Sequence, residues 1–238
     1  MIFPYRVPQI ITFHRFAFQS QQIIRRIFIF GKPENIYKEK TTQIPSATQP
    51  DKNKNKLIRL KVERRILTAK ASDEYLSDFM TILPVNCLFD KGKTGCGGTT
   101  IAIKNELDTI IAMPYVNVIK NKTDQNSNLL GVYQGVTETE IIDYLQNNEK
   151  RKIAVTYDRL EYVINLLEQN GYKPYQQFYL LVDEWHILFN SYAFRNEAVK
   201  KVLFHSRKFD RVTYMTATPI EDEFMLEELK DLPIVEVE

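Results

Sequence analysis

YLLVDEWHILF, residues 179–189, sets an apolar run directly against two carboxylates. Tyr179 to Val182 have the composition of a strand buried on both faces. Asp183 and Glu184 follow at once, then Trp185 and His186. An ionised acid is costly to bury unless something pairs or coordinates it. Two acids just past a buried strand belong at the carboxyl edge of a sheet, where open α/β folds bind ligands. There one acid can hold Mg²⁺ while its neighbour polarises an attacking water. A solvated acidic turn would account for the tetrad taken alone, so the flanking sequence has to decide.

Strand and helix patterns alternate on both sides of this stretch. Upstream, VNCLF (85–89) reads as a short buried strand, and DKGKTGCGGTT (90–100) follows with glycines at 92, 95, 97 and 98. A glycine-rich turn between a strand and a helix lets backbone N–H groups approach a phosphate. Against the phosphate-loop pattern G-x-x-x-x-G-K-S/T, Gly92 and Gly97 stand at the glycines and Thr99 at the hydroxyl. Gly98 stands where that pattern has lysine. DTIIAMPY (108–115) is the next strand, ending in Pro114; VNVIKNK, a polar loop to Asn128 and the short strand LLGVYQG follow. TETEIIDYLQNNEK is an amphipathic helix opened by a Thr137/Glu140 capping box. KIAVTYDRL is a strand ending at Thr156-Tyr157, and LEYVINLLEQNGYKP a helix stopped by Gly171 and Pro174. Downstream, NEAVKKVLFHS is a short helix, RVTYMTATPI a strand running into Thr216-Ala217-Thr218-Pro219, EDEFMLEELKDL a closing acidic helix and PIVEVE a strand start. The alternation predicts an α/β fold with a mainly parallel sheet flanked by helices. Strands ending near Phe89, Pro114, Thr156, Val182 and Met215 should share one edge, with Gly92–Thr99 facing Asp183–Glu184 across it.

A chain of 238 residues with 44% hydrophobic and 26% charged content has the make-up of one globular domain with an extension. Net charge is +2, but residues 1–70 hold 15 Lys and Arg against 4 Asp and Glu, and the remainder 17 against 26. Such a basic arm on an acidic body suits contact with a polyanion, or is a solvated tail. Residues 1–35 are aromatic and basic, and Lys32 to Lys56 turn polar, with three prolines and the run DKNKNK, as a linker does. LIRLKVERRILTAKASDEYLSDFM (57–80) reads as a strand and then a helix capped by Ser72 or Asp73. Two cysteines, Cys87 and Cys96, form no disulfide framework or C-x-x-C pair and suit a reducing, cytoplasmic setting. No apolar stretch approaches the span of a transmembrane helix, and the start, broken by Arg6, His14 and Arg15, does not read as a signal peptide.

The order of motifs from Gly92 to Pro219 resembles the first RecA-like domain of superfamily-two helicases, the DEAD/DEAH-box type. GKTGCGGTT resembles motif I, MPYVNVIKNK motif Ia, AVTYDRL motif Ib, VDEWH the D-E-x-H form of motif II, and TATP the S-A-T of motif III. The resemblance covers roughly residues 76–238 and divides the chain into a basic extension and linker (1–70) and a RecA-like ATP-binding domain (71–238). It implies ATP and Mg²⁺ as cofactors, DNA or RNA as partner, and no membrane. Gly92, Lys93, Thr94, Gly95, Gly97, Gly98, Thr99 and Thr100 would form the nucleotide loop. Asp183 and Thr99 would bind Mg²⁺, Glu184 would activate the hydrolytic water, and His186 would link the nucleotide site to Thr216 and Thr218. Pro114 and Thr156 would lie on the nucleic-acid track, and Trp185 would pack.

Two departures bear on activity. The motif I lysine is replaced by Gly98, and no second RecA-like domain, which in the family brings an arginine finger, follows TATP in this sequence. Lys93 resembles the extra lysine of the deviant loops in ParA and arsenite-pump ATPases and is the residue expected to substitute. The expected function is therefore the nucleotide-binding half of a helicase or nucleic-acid-dependent ATPase, weak or inactive alone, either as a fragment or as a half that pairs with a second polypeptide supplying the other domain. The alternatives are a degenerate nucleic-acid-binding or structural protein on the same fold, and a ParA-like partition ATPase, which VDEWH and TATP disfavour. The Tyr-, Lys- and Asn-rich composition hints at an AT-rich, phage-like source. If residues 1–70 contact phosphates, binding to a polynucleotide should weaken steeply with salt, and deleting the arm should flatten that slope. An unchanged slope would assign the arm to solvation or packing.

Overall fold

Asp183 ends the central strand of an eight-stranded, all-parallel sheet. A computed structural model describes residues 63–191, 196–221 and 224–238. Expectations for the aromatic-basic start and the polar linker lie outside them. The chain divides into two units, Met1–Ile58 and Arg59–Glu238, and the described residues belong to the second.

The strands are β1 (Arg64–Leu67), β2 (Cys87–Asp90), β3 (Thr109–Met113), β4 (Leu129–Val132), β5 (Lys152–Thr156), β6 (Tyr179–Asp183), β7 (Val212–Thr216) and β8 (Ile234–Val237). Their spatial order is β1-β8-β2-β7-β6-β3-β5-β4. The helices are α1 (Gly98–Lys104), α2 (Val116–Gln125), α3 (Glu138–Asn147), α4 (Leu160–Gln169), α5 (Pro174–Gln177), α6 (His186–Ser191) and α7 (Asn196–Ser206). The mainly parallel α/β sheet read from the sequence is thus the observed one. β1 lies on the amino side of the residue-70 boundary and joins the sheet through β8.

Alternation along the strands sorts the core into two layers. Leu88, Ile110, Ala112, Val155, Leu180, Val182 and Tyr214 pack with α3, α4 and α7. Cys87, Phe89, Ile111, Met113, Leu181 and Met215 pack on the other face with α1 and α2. Covered on both faces, β3, β5, β6 and β7 are buried at every position, which is why they read as continuous apolar runs. Right-handed crossovers require this division: the chain moves one way along the sheet through α1 and α2 and returns through α3, α4 and α7.

Three local expectations are corrected. Residues 71–80 do not form a helix capped by Ser72 or Asp73. The carboxylate of Asp78 accepts the Glu74 and Tyr75 N–H groups at 2.9 and 2.8 Å and draws the segment into a single 3₁₀ turn, Leu76–Asp78. The polar stretch read as a loop to Asn128 is helical as far as Gln125, continuing α2, a helix with one fully buried side chain, Ile119, and hence almost no apolar periodicity. The acidic segment near the end shows among its described residues a 3₁₀ turn at Glu227–Leu229, where Arg207 binds the Glu228 carbonyl and Asp231. Elsewhere the Thr137/Glu140 capping box opens α3, and Gly171, at positive φ, follows α4.

Lys152, the first residue of β5, is buried with its ammonium at the carboxyl end of α1. It reaches the Asn105 carbonyl at 2.8 Å, Asn105 Oδ1 at 2.6 Å, Thr109 Oγ1 at 3.1 Å and the Leu107 carbonyl. A cation there satisfies acceptors that the helix end leaves over and complements its dipole. It fixes the short helix that carries Thr99. Lys152→Met should destabilise the fold by roughly 2–4 kcal/mol, because several buried acceptors lose their donor together. Urea unfolding measures this, and a loss within about 0.5 kcal/mol would mean that water replaces the ammonium.

Candidate nucleotide site at the carboxyl edge

The loop after β2 and the acids after β6 meet across the end of β7, which lies between those two strands. The Lys91 N–H donates to the Thr216 carbonyl at 2.9 Å, and the Trp185 N–H to the Met215 carbonyl at 3.2 Å. Both segments are thereby anchored to β7 from opposite sides. Asp90 Oδ1 accepts the Gly92 N–H at 2.9 Å and starts the turn. The loop then passes through left-handed backbone at Gly92, Gly95 and Gly97, the last of which is the N-cap of α1.

Asp183 is 5% exposed. Its Oδ2 accepts the Thr99 hydroxyl at 2.9 Å, so the first turn of α1 is tied directly to β6. Its Oδ1 is buried without a hydrogen-bond partner and lies 3.7 Å from the Lys91 ammonium. Burial pushes the Asp183 carboxyl above the usual range, Lys91 works against that, and Glu184 adds to it. Glu184 sits at φ 54°, a left-handed conformation that costs a non-glycine residue about 1–3 kcal/mol and is held only where its surroundings dictate it. Its Oε1 accepts from Lys91 Nζ at 2.7 Å, and its Oε2 lies 3.4 Å from His186 Nδ1. Burial disfavours the charge on Lys91, but Asp183 and Glu184 more than offset it and hold the ammonium above its ordinary pKa.

His186 opens α6 and shares a 2.8 Å hydrogen bond between Nδ1 and Thr216 Oγ1. Thr216 Oγ1 in turn accepts the Thr218 N–H at 2.9 Å. The VDEWH stretch and the TATP turn are therefore in contact through these three residues. Trp185 is buried and lines a small pocket together with Thr216 and Pro219. Pro114 and Thr156 close β3 and β5, on the far side of β6 from the loop. They share the carboxyl edge but not the charged cluster. Lys93, Thr94 and Gly95 are exposed, and Thr100 is half-buried in α1. A cleft of about 310 Å³ runs beside the loop, lined by Tyr75, Phe79, Lys91, Lys93 and Cys96.

Two members of the site were missed from the sequence. Lys91 stands one position before the phosphate-loop template begins, yet it is the basic group that meets both acids. Strand parity carried the signal: Cys87, Phe89 and Lys91 fall on one face of β2, as Tyr179, Leu181 and Asp183 do on β6. Tyr157, just past Thr156, donates its hydroxyl to the Asp183 carbonyl at 2.6 Å and braces the end of β6; nothing local announces that contact.

No protein-family model and no curated protein matches the chain. Solved structures similar in fold include a nuclease-deletion mutant of the Type ISP restriction-modification enzyme LlaGI in complex with a DNA substrate mimic. It matches at 16% identity over 63% of this chain and 17% of its own, with a TM-score of 0.44. A DEAD box protein from the hyperthermophile Methanococcus jannaschii matches at 18% identity over 63% of this chain and 45% of its own, TM-score 0.43. Mss116p bound to single-stranded RNA and AMP-PNP matches at 15% identity over 66% and 37%, TM-score 0.43. The chain spans less than half the length of each. Among the described residues no helix is long and apolar enough to cross a membrane.

Burial holds the His186 pKa below its ordinary 6.5, against the opposing pull of Glu184. A histidine depressed in the folded state contributes stability that is present above 6.5 and lost as pH falls toward the folded value, because the unfolded chain takes the proton first. From about pH 8 to about pH 5, the range in which histidine titrates, the wild type should lose more stability than His186→Gln. Parallel curves in urea unfolding would show that His186 titrates alike in both states.

Proposed function

We propose that the chain is the nucleotide-binding half of a superfamily-two, DEAD/DEAH-type helicase or nucleic-acid-dependent ATPase. The observation that carries this is the convergence of Lys91, Thr99, Asp183 and Glu184 at one edge of a parallel sheet. The buried, unpartnered Oδ1 of Asp183 and the Thr99 hydroxyl beside it fit a divalent cation. Asp183 and Thr99 would hold Mg²⁺, which keeps waters and phosphate oxygens as its remaining ligands and supplies charge neutralisation on the phosphates. Gly92 to Thr100 would wrap the phosphates, and Tyr75 and Phe79 offer aromatic surface for a base in the adjoining cleft.

Glu184, held half-buried beside His186, would orient the attacking water. His186, Thr216 and Thr218 would pass the state of the phosphate site to the rest of the edge. Pro114 and Thr156 would face the backbone of a DNA or RNA strand there. A second RecA-like domain would close the site and add the arginine that compensates transition-state charge, a contribution of about 10³-fold or more. Gly98 in place of the loop lysine favours one other reading, a degenerate nucleic-acid-binding protein in which the site holds nucleotide without turnover.

Calorimetric titration with Mg-ATP, and phosphate release with DNA or RNA present, test the proposal. Binding is expected, and Asp183→Asn should weaken it roughly tenfold or more. Turnover by the chain alone should be slow, and Glu184→Gln should reduce it by about a hundredfold, toward background. Absence of binding by the wild type, with and without polynucleotide, would refute the proposal. Binding without any Glu184-dependent turnover would favour the degenerate protein.

A further inference from the structure

Position 98 is backed by the Met215 thioether, which occupies the space a side chain there would enter. A Cβ built on Gly98 would fall well inside contact distance of Met215 Sδ, 3.0 Å from Met215 Cε and 3.5 Å from Leu76 Cδ1. Met215 is a fully buried strand residue, so a side chain enters at 98 only if the Met215 thioether shifts. Lys93 is exposed, beyond the left-handed turn at Gly92, and stands outside the charged cluster.

Lys91, by contrast, is 7% exposed and already inside it. Its ammonium, the Thr99 hydroxyl and the unpartnered Asp183 Oδ1 lie together, with separations of 3.7 Å from Nζ to Oδ1 and 2.9 Å from Thr99 Oγ1 to Oδ2. A cation placed beside a hydroxyl and a carboxylate suited to a divalent ion is the donor set that the end of a polyphosphate needs. Glu184 Oε1, at 2.7 Å, is the partner that holds the ammonium.

Resting on the nucleotide-site proposal above, we infer that Lys91 is the cation that meets the terminal phosphate of a bound nucleoside triphosphate, in the role of the lysine absent at position 98. Glu184 is its partner until then. A terminal phosphate carries more charge than one carboxylate and draws the ammonium away, which releases Glu184 Oε1 to orient water. The same movement that binds substrate therefore frees the base, and Glu184 stays neutralised while the site awaits nucleotide. The Lys93 side chain stands outside that contact.

Equilibrium dialysis of the full chain against Mg-ATP and Mg-AMP tests this, since AMP lacks the terminal phosphates. Lys91→Met should weaken ATP binding roughly tenfold to a hundredfold, the range of one charge-assisted contact, and change AMP binding by less than about twofold. Lys93→Ala should weaken ATP binding less than Lys91→Met does. Glu184→Gln, which loosens the hold on Lys91, should tighten ATP binding, and Lys91→Met/Glu184→Gln should lose that gain. If the wild type binds ATP and Lys91→Met binds it equally well, or if Lys93→Ala produces the loss, the role of Lys91 is overturned while the nucleotide site stands. If the wild type binds neither nucleotide, the nucleotide-site proposal fails and takes this one with it. If Lys91→Met does not fold, Glu184→Gln decides, and unchanged or weaker ATP binding overturns the inference.

Discussion

Asp183 is a carboxylate at the end of a strand buried on both faces, and its need for partners organises the residues around it. An uncompensated charge at such depth costs several kcal/mol, so the group must be neutralised, paired or coordinated. The chain meets that demand with the Thr99 hydroxyl on one oxygen and the nearby Lys91 ammonium, while Tyr157 braces the adjoining carbonyl. These contacts come from two other strand ends, β2 and β5, and from the helix that follows β2. The other oxygen is left without a hydrogen bond. Under the proposed function a divalent cation would satisfy that oxygen.

The same edge shows packing and charge deciding a residue together. Met215 and Gly98 are complementary: the thioether occupies the space a side chain at 98 would need. Adding a side chain there would strain a close-packed layer by about 1–3 kcal/mol even before its charge was considered. A cation is nevertheless required to balance Asp183 and Glu184, and it comes from the end of β2 instead of from the helix. Glu184 absorbs part of the strain in its left-handed backbone, which turns the chain from β6 into α6 and carries His186 to Thr216.

Much of this was legible in the sequence because the sheet is buried on both faces. Apolar runs such as TIIAM and KIAVT have no second explanation once glycine-rich and acidic breaks punctuate them, and the parallel order follows from their alternation with helices. Where the physical signal was weak, expectation and structure parted. α2 buries little more than Ile119 and so lacks apolar periodicity, and residues 71–80 are governed by one side chain, Asp78, capping backbone amides. Both outcomes turn on contacts that composition does not encode.

By itself the sequence determined the strands, their parallel sense, and the gathering of Gly92–Thr99, Asp183, Glu184 and the TATP turn at one edge. Each of those rests on local pattern: buried runs, turn glycines, and charges that must lie at strand ends. Tertiary structure alone decided which lysine serves the acids. Lys91 and Asp183 are 92 positions apart, and they meet because β7 is inserted between their strands and both point to the α1 face. It also placed the Met215 thioether against Gly98, reaching it through the core from β7. Such choices depend on distances across the sheet, and a linear sequence carries no measure of those until strand order is known.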